Sequence, residues 1–224
     1  MSLQDRAAKA TALAQSLDFE ATPYAPSRDL GVVKRVLDLG IAIPLFLLLA
    51  PALAAIALWI WLDSPGPVLF CQRRLGLNGR PFCIFKFRTM NVLEDGDTIV
   101  QAREGDARVT GVGRFLRKTS LDELPQLINV IKGEMSLVGP RPHAIAHDEF
   151  YAARIRDYQQ RQLVKPGITG WAQVNGLRGG TPTIEAMRRR VEHDVWYAHN
   201  RSMALDLKIL LRTAHVVLQR KNAY

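Results

Sequence analysis

Lys118-Thr119-Ser120-Leu121-Asp122-Glu123-Leu124-Pro125-Gln126 leads through Leu127-Ile128-Asn129-Val130-Ile131-Lys132 to Gly139-Pro140-Arg141-Pro142. Leu124, Leu127, Ile128 and Ile131 recur at helical spacing, so a helix buries one apolar face here. Ser120 and Glu123 have capping-box spacing, which predicts a helix start close to Ser120. Pro125 lacks an N–H and disturbs a helix already running, so Asp122 and Glu123 sit on a constrained entry turn. Two readings of that acidic pair stand side by side. Acids at a helix start complement the positive end of its dipole and need do nothing more. Alternatively they divide two jobs: one carboxylate attacks phosphorus, and its neighbour holds Mg²⁺, a hard ion that prefers oxygen ligands and substrate phosphates. Arg117, Lys118 and Arg141 lie close in sequence, as an anionic substrate requires.

Upstream, Leu39 to Leu62 runs for 24 residues without a charge, long enough to cross a bilayer. Pro44 and Pro51 interrupt it, and Pro51 near its middle predicts a kink. Basic residues flank both ends, with Arg28, Lys34 and Arg35 before and Arg73, Arg74 and Arg80 after. A spanning helix usually shows a bias toward one side. Balanced flanks favour both ends on one face, with a membrane helix over 36–62 that dips in and returns at Pro51; a kinked span and a buried soluble helix are the alternatives. Residues 1–30 read as an extension and Pro-containing linker without signal-peptide character.

The chain carries 30 Lys and Arg against 21 Asp and Glu, a formal charge of +9. That balance points to anionic lipid, a phosphorylated substrate or nucleic acid. Nucleic acid is disfavoured, because no zinc-finger spacing, RNP-like segment or long basic run is present. Cys71 and Cys83 are expected as separate reduced thiols at a cytosolic site.

Val68 to Gln72 and Phe82 to Arg88 read as strands joined through Gly76-Leu77-Asn78-Gly79. Alternation places Phe82, Ile84, Lys86 and Arg88 on one face, so Lys86 and Arg88 either reach one phosphate together or are ordinary strand charges. The acid-rich stretch 91–107 reads as a loop, followed by a short basic helix over 111–118. In Pro140-Arg141-Pro142 two fixed φ values hold an arginine whose planar fork suits phosphate. His143 and His147 share a helical face without a third ligand and are expected at the surface. A helix is expected from Pro182 to about His199 with Ile184, Met187, Val191 and Val195 inward, and a last amphipathic helix after Ser202 suits core packing or an anionic membrane surface.

Ser120-Leu121-Asp122-Glu123-Leu124-Pro125-Gln126, Asn129-Val130, Lys132-Gly133, Met135-Ser136 and Gly139-Pro140-Arg141-Pro142 together resemble the bacterial sugar transferase family, the monotopic polyprenyl-phosphate phosphoglycosyl transferases. The resemblance extends from about Lys34 to Leu218. It implies a helix-rich α+β fold: one cytosolic-facing domain over 31–224 with a small antiparallel sheet and a Pro-broken re-entrant helix. Ala50-Pro51 stands where the family has Ser-Pro. The implied reaction moves a sugar-1-phosphate from a UDP-sugar to undecaprenyl phosphate and releases UMP, initiating exopolysaccharide synthesis at the cytoplasmic face of the bacterial inner membrane. Asp122 is the implied nucleophile, and Glu123, with Asp122, the implied ligand of Mg²⁺ or Mn²⁺. Lys86, Arg88, Arg117, Arg141, Lys165 and Arg178 are implied phosphate or substrate contacts, with lysine at 165 where the family usually has arginine. Pro140, Pro142, Gln173, Asn175 and Asp194 are implied supports. Trp171-Ala172-Gln173-Val174-Asn175-Gly176 is similar to members that handle glucose or galactose. A non-catalytic basic membrane adaptor and a single-displacement transferase with Asp122 as base are the rival readings. Oligomeric state is not written in the sequence.

Overall fold

The computed structural model describes residues 28–91 and 105–218. Most of the acid-rich loop and of the N-terminal linker lies outside those residues. Helix α1 (Arg28–Asp63) leads into an antiparallel hairpin, β1 (Leu69–Leu75) and β2 (Pro81–Phe87). Helices α2 (Gly111–Thr119) and α3 (Gln126–Lys132) follow, with a 3-10 turn, Leu121–Glu123, between them. Then come β3 (Ser136–Val138), α4 (Ile145–Ala152), a 3-10 segment at Tyr158–Leu163, β4 (Gly167–Thr169), α5 (Trp171–Val174), α6 (Ile184–Asn200) and α7 (Met203–Leu218). The helix-rich α+β expectation holds, and the hairpin falls where the alternation placed it. A parallel pair, β3 with β4, was not expected. Its strands approach so closely that a Cβ on Gly139 or Gly167 would collide with the other's backbone.

Helix α1 is continuous through Pro44 and Pro51, so proline does not break it into two elements. One stripe faces inward: Ala42, Leu45, Phe46 and Leu49 pack on the main core of Ile84, Leu127, Val130, Met135 and Val138. Further along, Leu53, Ile56, Ala57 and Ile60 pack on a smaller core of Phe87, Val112 and Leu116. The other face leaves Leu47, Leu48, Leu58, Trp59, Trp61 and Leu62 exposed. Such a face is far more apolar than water tolerates without a partner.

Both ends of α1 are fastened to the same domain. At the start, Lys34 pairs with Asp206 of α7 at 2.5 Å, and Arg35 donates to the terminal carbonyls of α3, Val130 and Ile131. Asp38 accepts from Ser136 Oγ and Leu137 N at 2.9 Å each. At the far end, Arg88 donates to the carbonyls of Ser64 and Pro65, just past the last turn of the helix, and to that of Ile60, which also accepts from Ser64 N at 3.3 Å.

Three local expectations are corrected. Cys71 and Cys83 form a disulfide, because the hairpin register makes them diagonal neighbours on one face. His143 is buried, drawn inward by Tyr158 and Arg161. Helix α6 begins at Ile184 rather than Pro182, because the Thr183 hydroxyl accepts from Ala186 N as its cap. In the last helix the apolar stripe divides: Ile209 is buried against the main core, while Leu207 and Leu211 are exposed.

Candidate active site

Ser120 ends α2 in a left-handed conformation, φ 61°, and so turns the chain sharply into the 3-10 segment that carries the two acids. Its side chain makes no cap, so the predicted capping box does not form, and α3 starts only after Pro125. The Ser120 hydroxyl instead accepts from Arg178 Nη2 at 2.6 Å. The expected constrained entry turn is therefore present, with a different construction.

Across from it lies β2, held by Asn129 of α3. The Asn129 amide accepts from Phe85 N at 3.0 Å and donates to the Cys83 carbonyl at 2.6 Å, acting as a strand partner. This fixes the next side chain, Lys86, whose Nζ lies 3.0 Å from Glu123 Oε1. Arg141 completes the arrangement from the other side with a two-pronged contact: Nη1 to Oε2 at 3.0 Å and Nη2 to Oε1. Burial pushes Glu123 up, but Arg141 and then Lys86 outweigh it and hold the carboxyl well below the usual range. Arg141 is in turn held more firmly protonated by Glu123.

Asp122 behaves oppositely. Among the described residues it has no hydrogen-bond or ion-pair partner, and burial, then the neighbouring Glu123 charge, raises its pKa to about 6. Lys86, Arg117 and Arg141 pull it back. Two adjacent carboxylates thus have divided environments, which is how one pair of acids comes to hold two roles. Burial also lowers Lys86, partly offset by Glu123.

The other sequence-predicted residues separate. Arg117, on α2, lies within electrostatic reach of Asp122, and Arg178 reaches the same turn through Ser120. Arg88 does not join Lys86: β2 ends at Phe87, and the buried Arg88 guanidinium caps α1. Lys165 has Arg35, Asp38 and Lys34 for charged neighbours, at the start of α1 rather than beside the acids. Gln173 and Asn175 stay local, donating to the carbonyls of Ile168 and Trp171. Pro140 and Pro142 flank Arg141, and Gly167 N fastens the Pro140 carbonyl at 2.9 Å. Asp194 is buried against Arg161 at 2.8 Å, and Arg161 also donates to the Arg141 carbonyl.

Sequence reasoning missed Arg161, Arg190 and Asn129. A signal for Arg190 existed: Met187, Arg190, Val191 and Asp194 all fall on the buried stripe of α6, where charge has no place without a task. Arg161 sits in an irregular 3-10 segment and offered no period to read.

The profile of the family described as Bacterial sugar transferase matches residues 30–220. The chain belongs to the bacterial sugar transferase family. It is therefore a transferase enzyme. A relative from Caulobacter vibrioides, 57% identical over 191 residues, is named UDP-glucose:undecaprenyl-phosphate glucose-1-phosphate transferase; the alignment covers 85% of this chain and 72% of the relative. An Escherichia coli protein of the same name is 51% identical over 193 residues, which cover 86% of this chain but only 42% of that relative. The Exopolysaccharide production protein PSS of Rhizobium leguminosarum bv. phaseoli is 43% identical over 197 residues, covering 86% of this chain and 98% of its own length.

Proposed function

We propose that the chain transfers a hexose-1-phosphate, with glucose-1-phosphate the first candidate, from a UDP-sugar to undecaprenyl phosphate, releasing UMP and initiating exopolysaccharide synthesis. The observation that carries this reading is the asymmetry of the acidic pair. Glu123 is neutralised by Arg141 and Lys86, whereas Asp122 keeps a carboxylate with no ion partner among the described residues, in a cationic setting. The names of the three relatives, two for the reaction and one for the product, support it.

In the first step an Asp122 carboxylate oxygen attacks the phosphorus bonded to the sugar. The bond from that phosphorus to the UMP oxygen breaks, and UMP leaves with its electron pair. An oxygen of undecaprenyl phosphate then attacks the same phosphorus and expels Asp122, giving a lipid-linked diphosphosugar. Each step passes through a phosphoryl transition state whose charge needs cations already in place, and Lys86, Arg117 and Arg141 supply them. A pKa of about 6 leaves Asp122 largely ionised at neutral pH. Oxygen donors suit Mg²⁺ or Mn²⁺: Glu123, with Asp122, would hold it, the Glu123 oxygens here being occupied by Lys86 and Arg141. When bound, the ion neutralises the diphosphate and the leaving nucleotide.

The same proposal includes the seating. An α1 tied at both ends to one domain, with an exposed apolar face between, is accounted for by a helix that enters the bilayer, bends at Pro51 and returns. That puts the site at headgroup depth on the cytoplasmic face, among anionic lipids, where the phosphate of undecaprenyl phosphate resides. UMP release from a panel of UDP-sugars with a short polyprenyl phosphate tests the reading. UDP-glucose should be the best donor; release from none of them would leave a lipid-binding adaptor as the function.

A further inference from the structure

The segment that delivers Arg141 has few means of holding itself in place. Pro140 and Pro142 carry no N–H, so between Gly139 and His143 only three backbone donors remain. Gly139 N is committed to the Thr169 carbonyl at 2.9 Å. The Pro140 carbonyl accepts from Gly167 N at 2.9 Å, and the Tyr158 hydroxyl lies 2.6 Å from His143 Nδ1. Between those two points the Arg141 carbonyl is gripped by one side chain, the buried guanidinium of Arg161. Its Nη2 donates to the Arg141 carbonyl, and its Nη1 lies 3.0 Å from His143 Nδ1. The same fork is fixed from behind: Nε and Nη2 donate to Asp194 Oδ2 at 3.2 and 2.8 Å. Asp148 lies 3.7 Å from Nη1 and is itself held by the Tyr158 hydroxyl at 2.7 Å.

Two acids are enough to neutralise a buried arginine. Turning its remaining donors onto the two sides of a Pro-Arg-Pro segment adds a geometric role. With φ of Pro140 and Pro142 fixed and the carbonyl of Arg141 pinned, the Arg141 side chain has a defined direction, toward Glu123. One turn before Asp194 on α6, Arg190 holds the Gly179 carbonyl, next to the Arg178 that reaches Ser120. Both cation-bearing loops are thus fastened to the same stretch of α6.

We infer that Arg161, held by Asp194, is a positioning residue: it aims Arg141 at the donor's diphosphate by fixing the Arg141 carbonyl. This rests on the proposed phosphoglycosyl transferase reading. A lysine at 161 keeps the charge but cannot fork between Asp194 and the carbonyl. A role exerted through Arg141 also has a signature that general support of the fold lacks, namely that its effect vanishes once Arg141 is gone.

The test is a double-mutant cycle of Arg161→Lys with Arg141→Met in the full chain, in detergent or nanodiscs. UDP affinity is read by calorimetry and kcat by UMP release from UDP-glucose. Arg161→Lys should weaken UDP binding and lower kcat by about tenfold when Arg141 is present, as expected for loss of a charge-assisted contact. In the Arg141→Met background the same change should alter both by less than about twofold. Equal losses in both backgrounds, or no loss in either, would overturn the inference. Asp194→Asn, which leaves Arg161 in place but loosens its hold, replaces Arg161→Lys if circular dichroism shows the lysine variant unfolded. If the unsubstituted protein binds UDP but releases no UMP, the proposed function fails while the UDP cycle still decides the role of Arg161.

Discussion

Replacing Asp122 with asparagine should make the protein more stable at neutral pH while abolishing its activity. The Asp122 pKa is raised from 3.8 to about 6, chiefly by burial and then by the charge of Glu123. A carboxyl that is harder to ionise in the folded state than in the unfolded one costs stability once the pH exceeds its unfolded pKa. That cost grows between about pH 4 and pH 6 and is constant above. A shift of about two units corresponds to ~3 kcal/mol at most. Asp122 is partly exposed, so solvent screening reduces this to about 1–2 kcal/mol. For a chain of this size, Asp122→Asn should then raise Tm by about 2–8 °C at pH 7.5. Asparagine keeps the shape, so packing is unchanged, and below about pH 4, where aspartic acid is neutral in both states, the gap should close. Thermal melts of both proteins in the same detergent at pH 4, 5.5 and 7.5 measure this directly. A variant that melts lower than the parent at pH 7.5, or a gap of the same size at pH 4, would refute the electrostatic account of the acidic pair.

Other outcomes follow from the same contacts. Arg141→Met strips the two-pronged partner from Glu123 and should cut kcat/KM by about 10²–10³ in UMP release. It should also lower Tm at pH 7.5; because the Glu123 pKa is depressed, that loss should shrink as the pH falls through the folded value of Glu123. Arg88→Met should destabilise the fold by about 1–3 kcal/mol through the uncapped end of α1, yet leave UDP affinity within about twofold in calorimetry. A large loss of affinity there would return Arg88 to the substrate. Chelation with excess EDTA should stop turnover and Mg²⁺ or Mn²⁺ restore it; undiminished turnover would remove the metal from the mechanism. Cysteines at Gly31 and Asn78, both exposed, should be protected together from membrane-impermeant reagent in intact cells, in a background lacking Cys71 and Cys83. Labelling at only one of them would mean that α1 spans.

The parts of this molecule that repeat with a period were legible in the sequence. The helical period of α3, the alternation of β2 and the uncharged length of α1 all named their elements, and the motif around Asp122 and Glu123 named the family. The face α3 buries is turned toward Leu127, Asn129 and Val130, with Ile128 and Ile131 half-buried and Leu124 ahead of the helix. What the sequence hid was direction. Lys86 and Arg88 share a strand parity, yet β2 ends between them, so one meets Glu123 and the other caps a helix formed more than twenty residues earlier. Ser120 and Glu123 have the spacing of a capping box, but the left-handed turn at Ser120 points its hydroxyl at Arg178 instead. Lys165 was placed by motif alone, and the β3–β4 pairing carries it toward α1. Contacts between distant segments, such as Arg161 with Asp194 and with the Arg141 carbonyl, leave no local trace, so no reading of spacing finds them.

The central claim is that Asp122 becomes covalently phosphorylated by the sugar donor. Mixing the protein with UDP-glucose alone, quenching early and measuring intact mass together with released UMP tests it most directly. The account predicts a burst of UMP equivalent to the enzyme present and one added phosphohexose, mapped by fragmentation to Asp122, absent in Asp122→Asn and discharged by polyprenyl phosphate. Full turnover in the complete system with neither burst nor adduct at the earliest quench, or an Asp122→Asn variant that turns over normally, would contradict it.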